Sequence, residues 1–138
     1  GDVLKLGEAE LTVLHSGTGG RNEDSIVFLL EYGGFTALFT GDAGFDAEAA
    51  FAGSAGEITL LKVGHHGSKN STSEELLEKT KPKIAILSAG VGNVYGFPAA
   101  ETLKRLNAAG AKVYTTAERG AITVRVVENE VFVSTMLP

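Results

Sequence analysis

Two histidines stand side by side in the run Leu60-Leu61-Lys62-Val63-Gly64-His65-His66-Gly67-Ser68, where an apolar stretch delivers both imidazoles into a Gly/Ser turn. Upstream, Phe39-Thr40-Gly41-Asp42 ends a second apolar stretch on a carboxylate, and Leu11-Thr12-Val13-Leu14-His15 ends a third on the remaining histidine. Neutral imidazole is a common metal ligand, and its second ring nitrogen needs an oriented partner. Imidazole and carboxylate presented at three strand ends make the donor set of a metal centre built on a sheet: the strands fix the backbone and the turns expose the ligands. The sequence contains no cysteine, so thiolate ligands and disulfides are excluded and any cation must be held by nitrogen and oxygen.

Each of these residues also has a structural reading. Asp42 stands where it can cap the helix expected after it. His65 and His66 can be turn histidines, and on an extended chain adjacent side chains point to opposite faces, so one of the two is expected to face a given cation. Asn22 and Ser25 flank the start of a strand, where they hydrogen-bond the loop or orient a ligand. Asn93 and Tyr95, in a Gly-rich loop, serve as turn residues or as substrate contacts. Gly17-Thr18-Gly19-Gly20 lacks the Gly-Lys-Ser/Thr ending of a phosphate-binding loop, and no G-x-S-x-G elbow occurs, so covalent acyl chemistry has no support.

The elements that must position these residues follow from the apolar pattern. Glu10–His15 is expected as a strand, followed by the polar loop Ser16–Asp24. Ser25–Tyr32 and Phe35–Thr40 flank Gly33-Gly34, the pattern of a tight hairpin. A short helix is expected over Asp46–Ala52, ended by Gly53, then a buried strand over Ile58–Val63. Ser71-Thr72-Ser73 before Glu74-Glu75 marks a helix start, and Pro82 its stop. Ile84–Ser88 is an all-apolar strand, Ala89–Gly96 a loop, and Glu101–Ala109 a helix with Pro98 in its first turn. Lys112–Thr116 is a strand, and Ala121–Val127 with Glu130–Thr135 forms a last hairpin through Glu128-Asn129. Strand–helix alternation between hairpins predicts an α/β (α+β) fold, a mixed sheet with helices packed on one face.

The length of 138 residues suits one domain, and 43% hydrophobic with 21% charged residues supports an ordinary core. The net charge of −5 disfavours broad capture of nucleic acid, which rests on Lys and Arg, though bound cations reverse the local sign.

The ordered series Asp24-Ser25-Ile26-Val27, Tyr32-Gly33-Gly34-Phe35, Phe39-Thr40-Gly41-Asp42, Leu61–Ser68, Ser88–Pro98 and Leu103–Thr116 resembles the metallo-β-lactamase-like domain of ComEC-type DNA internalization competence proteins, from about Leu11 to Val127. The resemblance implies an αββα sandwich with a two-metal hydrolase site, in a protein whose inner-membrane channel takes up DNA in natural transformation. By that resemblance His15, Asp42 and His65 are metal ligands, with Asp42 bridging two cations and His66 the second choice for the role of His65. Asp42, His65 and His66 form the catalytic set, while Asn93, Tyr95 and Ser68 contact or support substrate. Zinc or manganese suits such ligands.

Two departures qualify the resemblance. The family's H-x-H-x-D-H motif is absent, so residues 1–138 are expected to be the carboxyl-terminal half of the domain, a soluble piece of a larger bacterial inner-membrane protein that is inactive alone. Gly1-Asp2 fits an expression remnant ahead of a cut inside that protein. Phe97 stands where the family commonly has histidine in Tyr-Gly-His-Pro. The leading expectation is a metal-dependent phosphodiesterase or nuclease acting on DNA. The alternative is a degenerate, non-catalytic binding or assembly module of the uptake channel. Expected partners are DNA, the rest of the channel protein, and further copies of the fragment through an uncovered apolar sheet face.

Overall fold

The apolar stretches assemble into a seven-stranded mixed sheet in the computed structural model, which describes residues 1–138 apart from Thr18, Gly20 and the side chain of Glu23. The Gly17-Thr18-Gly19-Gly20 reading therefore lies partly outside the described residues. In chain order the elements are β1 (Val3–Leu6), β2 (Ala9–His15), β3 (Val27–Tyr32), β4 (Phe35–Phe39), α1 (Phe45–Ala55), β5 (Leu60–Lys62), α2 (Glu74–Thr80), β6 (Ile84–Leu87), α3 (Ala100–Ala108), β7 (Lys112–Thr115), α4 (Thr116–Arg119), β8 (Ile122–Val127) and β9 (Glu130–Thr135). The strands lie in sequence order, antiparallel from β1 to β4 and parallel from β4 to β7. Because β4 to β7 are parallel, the chain ends of β4, β5 and β6 emerge along one edge, and the residues that follow them share one rim.

The α1–α3 layer and the sheet enclose the main core, in which Leu38, Phe51, Leu61, Leu76, Leu87 and Leu106 are fully buried. Burying a side chain the size of Phe51 stabilises by roughly 1.5–3 kcal/mol. On the other face the β8–β9 hairpin packs Val124, Val126 and Val131 against Leu30, Phe39, Ile84 and Ile86, forming a second apolar cluster. Glu128 and Asn129 at its tip both have positive φ (49° and 66°), the two-residue turn whose twist suits a hairpin. β1 lies at the sheet edge with Val3, Leu4 and Leu6 each more than half exposed. Among the described residues no helix is long and apolar enough to cross a membrane.

The predicted hairpins and central strands are present, with four differences. β1 was not foreseen. It pairs with β2 through the tight turn at Gly7, whose φ is 64°. Helix α1 runs through Gly53 and ends at Gly56, because Phe51, Ala52 and Ala55 bury against the core on either side of that glycine. Pro98 precedes α3, whose N-cap is Ala99, and Thr116–Arg119 coils into α4 under the Thr115 cap, whose hydroxyl accepts from the Glu118 amide.

Candidate functional site

Asp42 follows β4 through Gly41, whose φ of 56° permits the sharp exit from the strand. A Cβ at Gly41 would meet the Ser25 Cβ at 3.0 Å, so the turn needs both the conformation and the small residue. The Asp42 amide donates to Ser25 Oγ at 3.1 Å, which aims the carboxylate outward. Asp42 is not the cap of α1. That position is Gly44, with no side-chain cap.

After β5 the chain makes a short 3-10 turn, Gly64–Gly67, in which both histidines adopt left-handed backbone angles: φ 46°, ψ 44° at His65 and φ 57°, ψ 19° at His66. Each such residue costs on the order of 1–2 kcal/mol, so the surroundings must hold the turn. The His65 amide donates to the Gly41 carbonyl at 2.9 Å, joining the histidine turn to the Asp42 turn. Ser71 Oγ donates to the carbonyls of Gly64 (2.8 Å) and Ser68 (3.1 Å), and Thr102 Oγ1 donates to the Ser68 carbonyl at 2.7 Å. Farther along the same loop, the buried Glu48 carboxylate accepts from the amides of Thr72 and Ser73, and Arg105 donates to the carbonyls of Lys69, Ser71 and Thr72. Burial pushes the Glu48 carboxyl above its ordinary range, while its hydrogen bonds at Ser73 and Thr72 and the Arg105 charge oppose that rise.

This backbone does not follow the extended alternation expected for adjacent histidines. Both rings line one cavity of about 750 Å³, with Asp42, Ser88, Tyr95 and Phe97. His66 Nδ1 lies 2.8 Å from the Ser88 carbonyl oxygen. A carbonyl only accepts, so Nδ1 carries the proton, and in the neutral ring the Nε2 lone pair is presented. That Nε2 stands 4.0 Å from Asp42 Oδ1. His65 turns its Nδ1 toward Asn22 Nδ2, at 3.4 Å. Asn22 and Ser25 thus each hydrogen-bond a neighbour at the site, Asn22 the His65 ring and Ser25 the Asp42 backbone amide.

Of the other predicted residues, Asn93 and Tyr95 line the same cavity, while His15 and Ser68 do not. His15 ends β2 opposite Val27, and its ring lies 6.1 Å from that of Phe51 on α1; it does not line the cavity. Ser68 is buried, and its Oγ accepts from the Asn70 amide at 3.3 Å, inside the loop. Asn93 lines the cavity, but its Nδ2 donates to the carbonyls of Gly90 (2.9 Å) and Phe97 (2.6 Å), and its Oδ1 accepts from the Phe97 amide at 3.0 Å. Asn93 therefore shapes the loop. Tyr95 lies open at the cavity, 77% exposed. Lys62, half-buried beneath the site, donates to the Val63 carbonyl. Burial lowers its ammonium below the ordinary range, and the Asp42 carboxylate pulls it back up.

Asp42 and His66 have the chemistry of two ligands of one divalent cation. Their 4.0 Å separation is close to the sum of one metal–nitrogen and one metal–oxygen bond, about 4 Å, so a small closure lets both reach one ion. Among the described residues no three His, Asp or Glu groups converge to hold a metal ion. The pair has the donor chemistry of part of a coordination sphere and does not complete one among the described residues. Sequence reading missed Glu48 and Arg105, because a Glu in Asp46-Ala47-Glu48-Ala49 carries the signature of a solvated helix face.

A model of the metallo-beta-lactamase superfamily matches residues 3–91. The chain is 42% identical over 107 residues to "Recombination protein 2" of Haemophilus influenzae, covering 78% of this chain and 14% of that protein. It is 36% identical over 130 residues to "ComE operon protein 3" of Bacillus subtilis (91% of this chain, 17% of that protein). It is 34% identical over 104 residues to "Competence protein ComA" of Neisseria gonorrhoeae (73% and 15%). These matches bear out the resemblance to ComEC-type competence proteins. The chain spans only 14%, 17% and 15% of the lengths of these relatives.

Proposed function

We propose, for a chain that belongs to the metallo-beta-lactamase superfamily, that it is the carboxyl-terminal half of a metal-dependent phosphodiesterase domain of a DNA-uptake protein. One observation carries this reading: His66 is fixed by the Ser88 carbonyl so that its Nε2 faces Asp42 Oδ1 at 4.0 Å. The relatives' names, two of which carry a competence designation, support a place in DNA uptake. Their length, of which this chain spans 14% and 17%, supports a longer protein of which this is one part.

In this reading Asp42 and His66 hold cations together with ligands from an H-x-H-x-D-H segment outside the sequence. The geometry favours His66 over His65 for the role that the resemblance assigns to the first histidine. Divalent zinc or manganese, when bound, supplies an activated water and neutralises charge on the phosphoryl group. This chain's residues do the positioning. Ser25 aims Asp42, the Ser88 carbonyl fixes the His66 tautomer, and Asn22 holds His65 at the cavity wall. The 138 residues alone are expected to be inactive, since tight sites need about four ligands.

A second reading, a non-catalytic module of the uptake machinery, draws on Phe97, whose ring sits 5.6 Å from that of His65 and 6.4 Å from that of His66, where a proton donor would otherwise stand. Metal analysis and DNA cleavage by the longer protein carrying this domain separate the two. Two cations per chain, and cleavage lost in Asp42→Asn and His66→Ala, support the hydrolase. A folded domain with neither cations nor cleavage establishes the module.

A further inference from the structure

The cavity wall carries a ladder of rings. Phe97 lies nearly parallel to His66 (16° between planes, centroids 6.4 Å apart) and to Tyr95 (20°, 5.7 Å). Both separations fall in the range of offset aromatic pairs. Phe97 is half-buried, whereas Tyr95 is 77% exposed. The core therefore does not account for the position of Tyr95.

The support beneath the ladder is stiff. Asn93 ties the loop ends through Gly90 and Phe97, and the Ala99 amide donates to the Gly67 carbonyl at 2.8 Å, joining the loop to the histidine turn. Thr116 Oγ1 braces the loop's start, accepting from the Ala89 amide and donating to its carbonyl, each at 3.0 Å. A flat ring held outward on a pinned loop presents a surface with little conformational entropy left to lose on binding.

We propose that Tyr95, backed by Phe97, is a stacking shelf for a nucleobase of a single strand, so that the strand's backbone passes the Asp42–His66 pair. The inference rests on the phosphodiesterase reading and supplies what that reading lacks, a group on this chain that recognises the substrate. Stacking suits a strand of any sequence, because every base has a π-face. It also suits an acidic chain. The net charge of −5 gives the chain no broad attraction to phosphates, and a stacked base supplies binding that overall charge does not.

The test uses the longer protein carrying this domain, in a chelating buffer, with a labelled thymidine oligonucleotide and an abasic oligonucleotide of equal length and charge. The thymidine strand is expected to bind about 10-fold tighter or more. Tyr95→Ala is expected to abolish that preference, and Tyr95→Phe to keep it. Equal binding of the two strands overturns the shelf, as does a preference that survives Tyr95→Ala. Binding of the loop to zwitterionic vesicles without base preference overturns it too and assigns Val91, Val94 and Tyr95 to a lipid surface. Cleavage of the abasic strand by the metal-loaded longer protein reads the chemistry separately. Cleavage without base preference removes the shelf alone, and base preference without cleavage removes the hydrolase reading alone.

Discussion

His66 Nε2 stands 4.0 Å from Asp42 Oδ1 while His66 Nδ1 is held 2.8 Å from the Ser88 carbonyl. His65, one residue earlier, points its Nδ1 at the Asn22 amide instead. The two histidines are therefore not equivalent. In the longer protein, His66→Ala is expected to weaken cation affinity on the order of 100-fold, and His65→Ala at least about 10-fold less, as befits an orienting group. Calorimetric titration with manganese or zinc measures both. A larger loss at His65 reverses the assignment.

The fold was largely written in local patterns. The Gly33-Gly34 and Glu128-Asn129 hairpins, the apolar strands β5 and β6, and the Ser73 cap of α2 all match their sequence signals. The site was legible only as a set of residue types. That His65 and His66 both turn into one cavity depends on left-handed backbone held by Gly41, Ser71 and Thr102 through contacts that span 7 to 34 residues of sequence. That His15 packs toward Phe51 depends on where α1 crosses the sheet. No periodicity reports either.

Gly67 shows how tightly the histidine turn is fitted. Its φ is 84°, and a Cβ there would lie 2.5 Å from Leu87 Cδ2 and 2.8 Å from Pro98 Cβ. Gly67→Ala is expected to destabilise by about 2–4 kcal/mol, combining overpacking with left-handed strain. Gly53, exposed in α1 with nothing within 4 Å of an added Cβ, is the opposite case. Gly53→Ala is expected to stabilise by roughly 0.5–1 kcal/mol. Urea denaturation of the two variants checks the pair, and a neutral Gly67→Ala contradicts the packing argument.

The β8–β9 hairpin covers the second face of the sheet only around β3 to β6, leaving Val3, Leu4 and Leu6 on the edge strand β1 at 52%, 58% and 59% exposure. An open strand edge with apolar side chains is a template for pairing with another chain. We expect the 138-residue chain to associate with itself through β1 at high concentration. Sedimentation velocity should show the association, and Leu4→Lys should suppress it. A monodisperse monomer across the concentration range counts against this surface.

Glu48 links stability to pH. Its buried carboxyl is pushed upward, first by loss of solvent, against the opposing pull of Ser73, Thr72 and Arg105. Between the ordinary carboxylate range and this raised value the folded chain binds more protons than the unfolded one, so the contribution of Glu48 to stability is greatest in acid and is lost as pH rises through the folded value. Glu48→Gln removes that titration and sets an amide donor against one of the two backbone N–H groups, at a cost of about 1–3 kcal/mol. The stability advantage of the native chain over Glu48→Gln should therefore be largest in acid and shrink as the carboxyl ionises. Paired urea titrations across that range measure the difference directly, which cancels the other carboxylates. An advantage that grows with pH instead would show that the two amides and Arg105 outweigh burial, and that Glu48 holds the histidine loop chiefly as an anion.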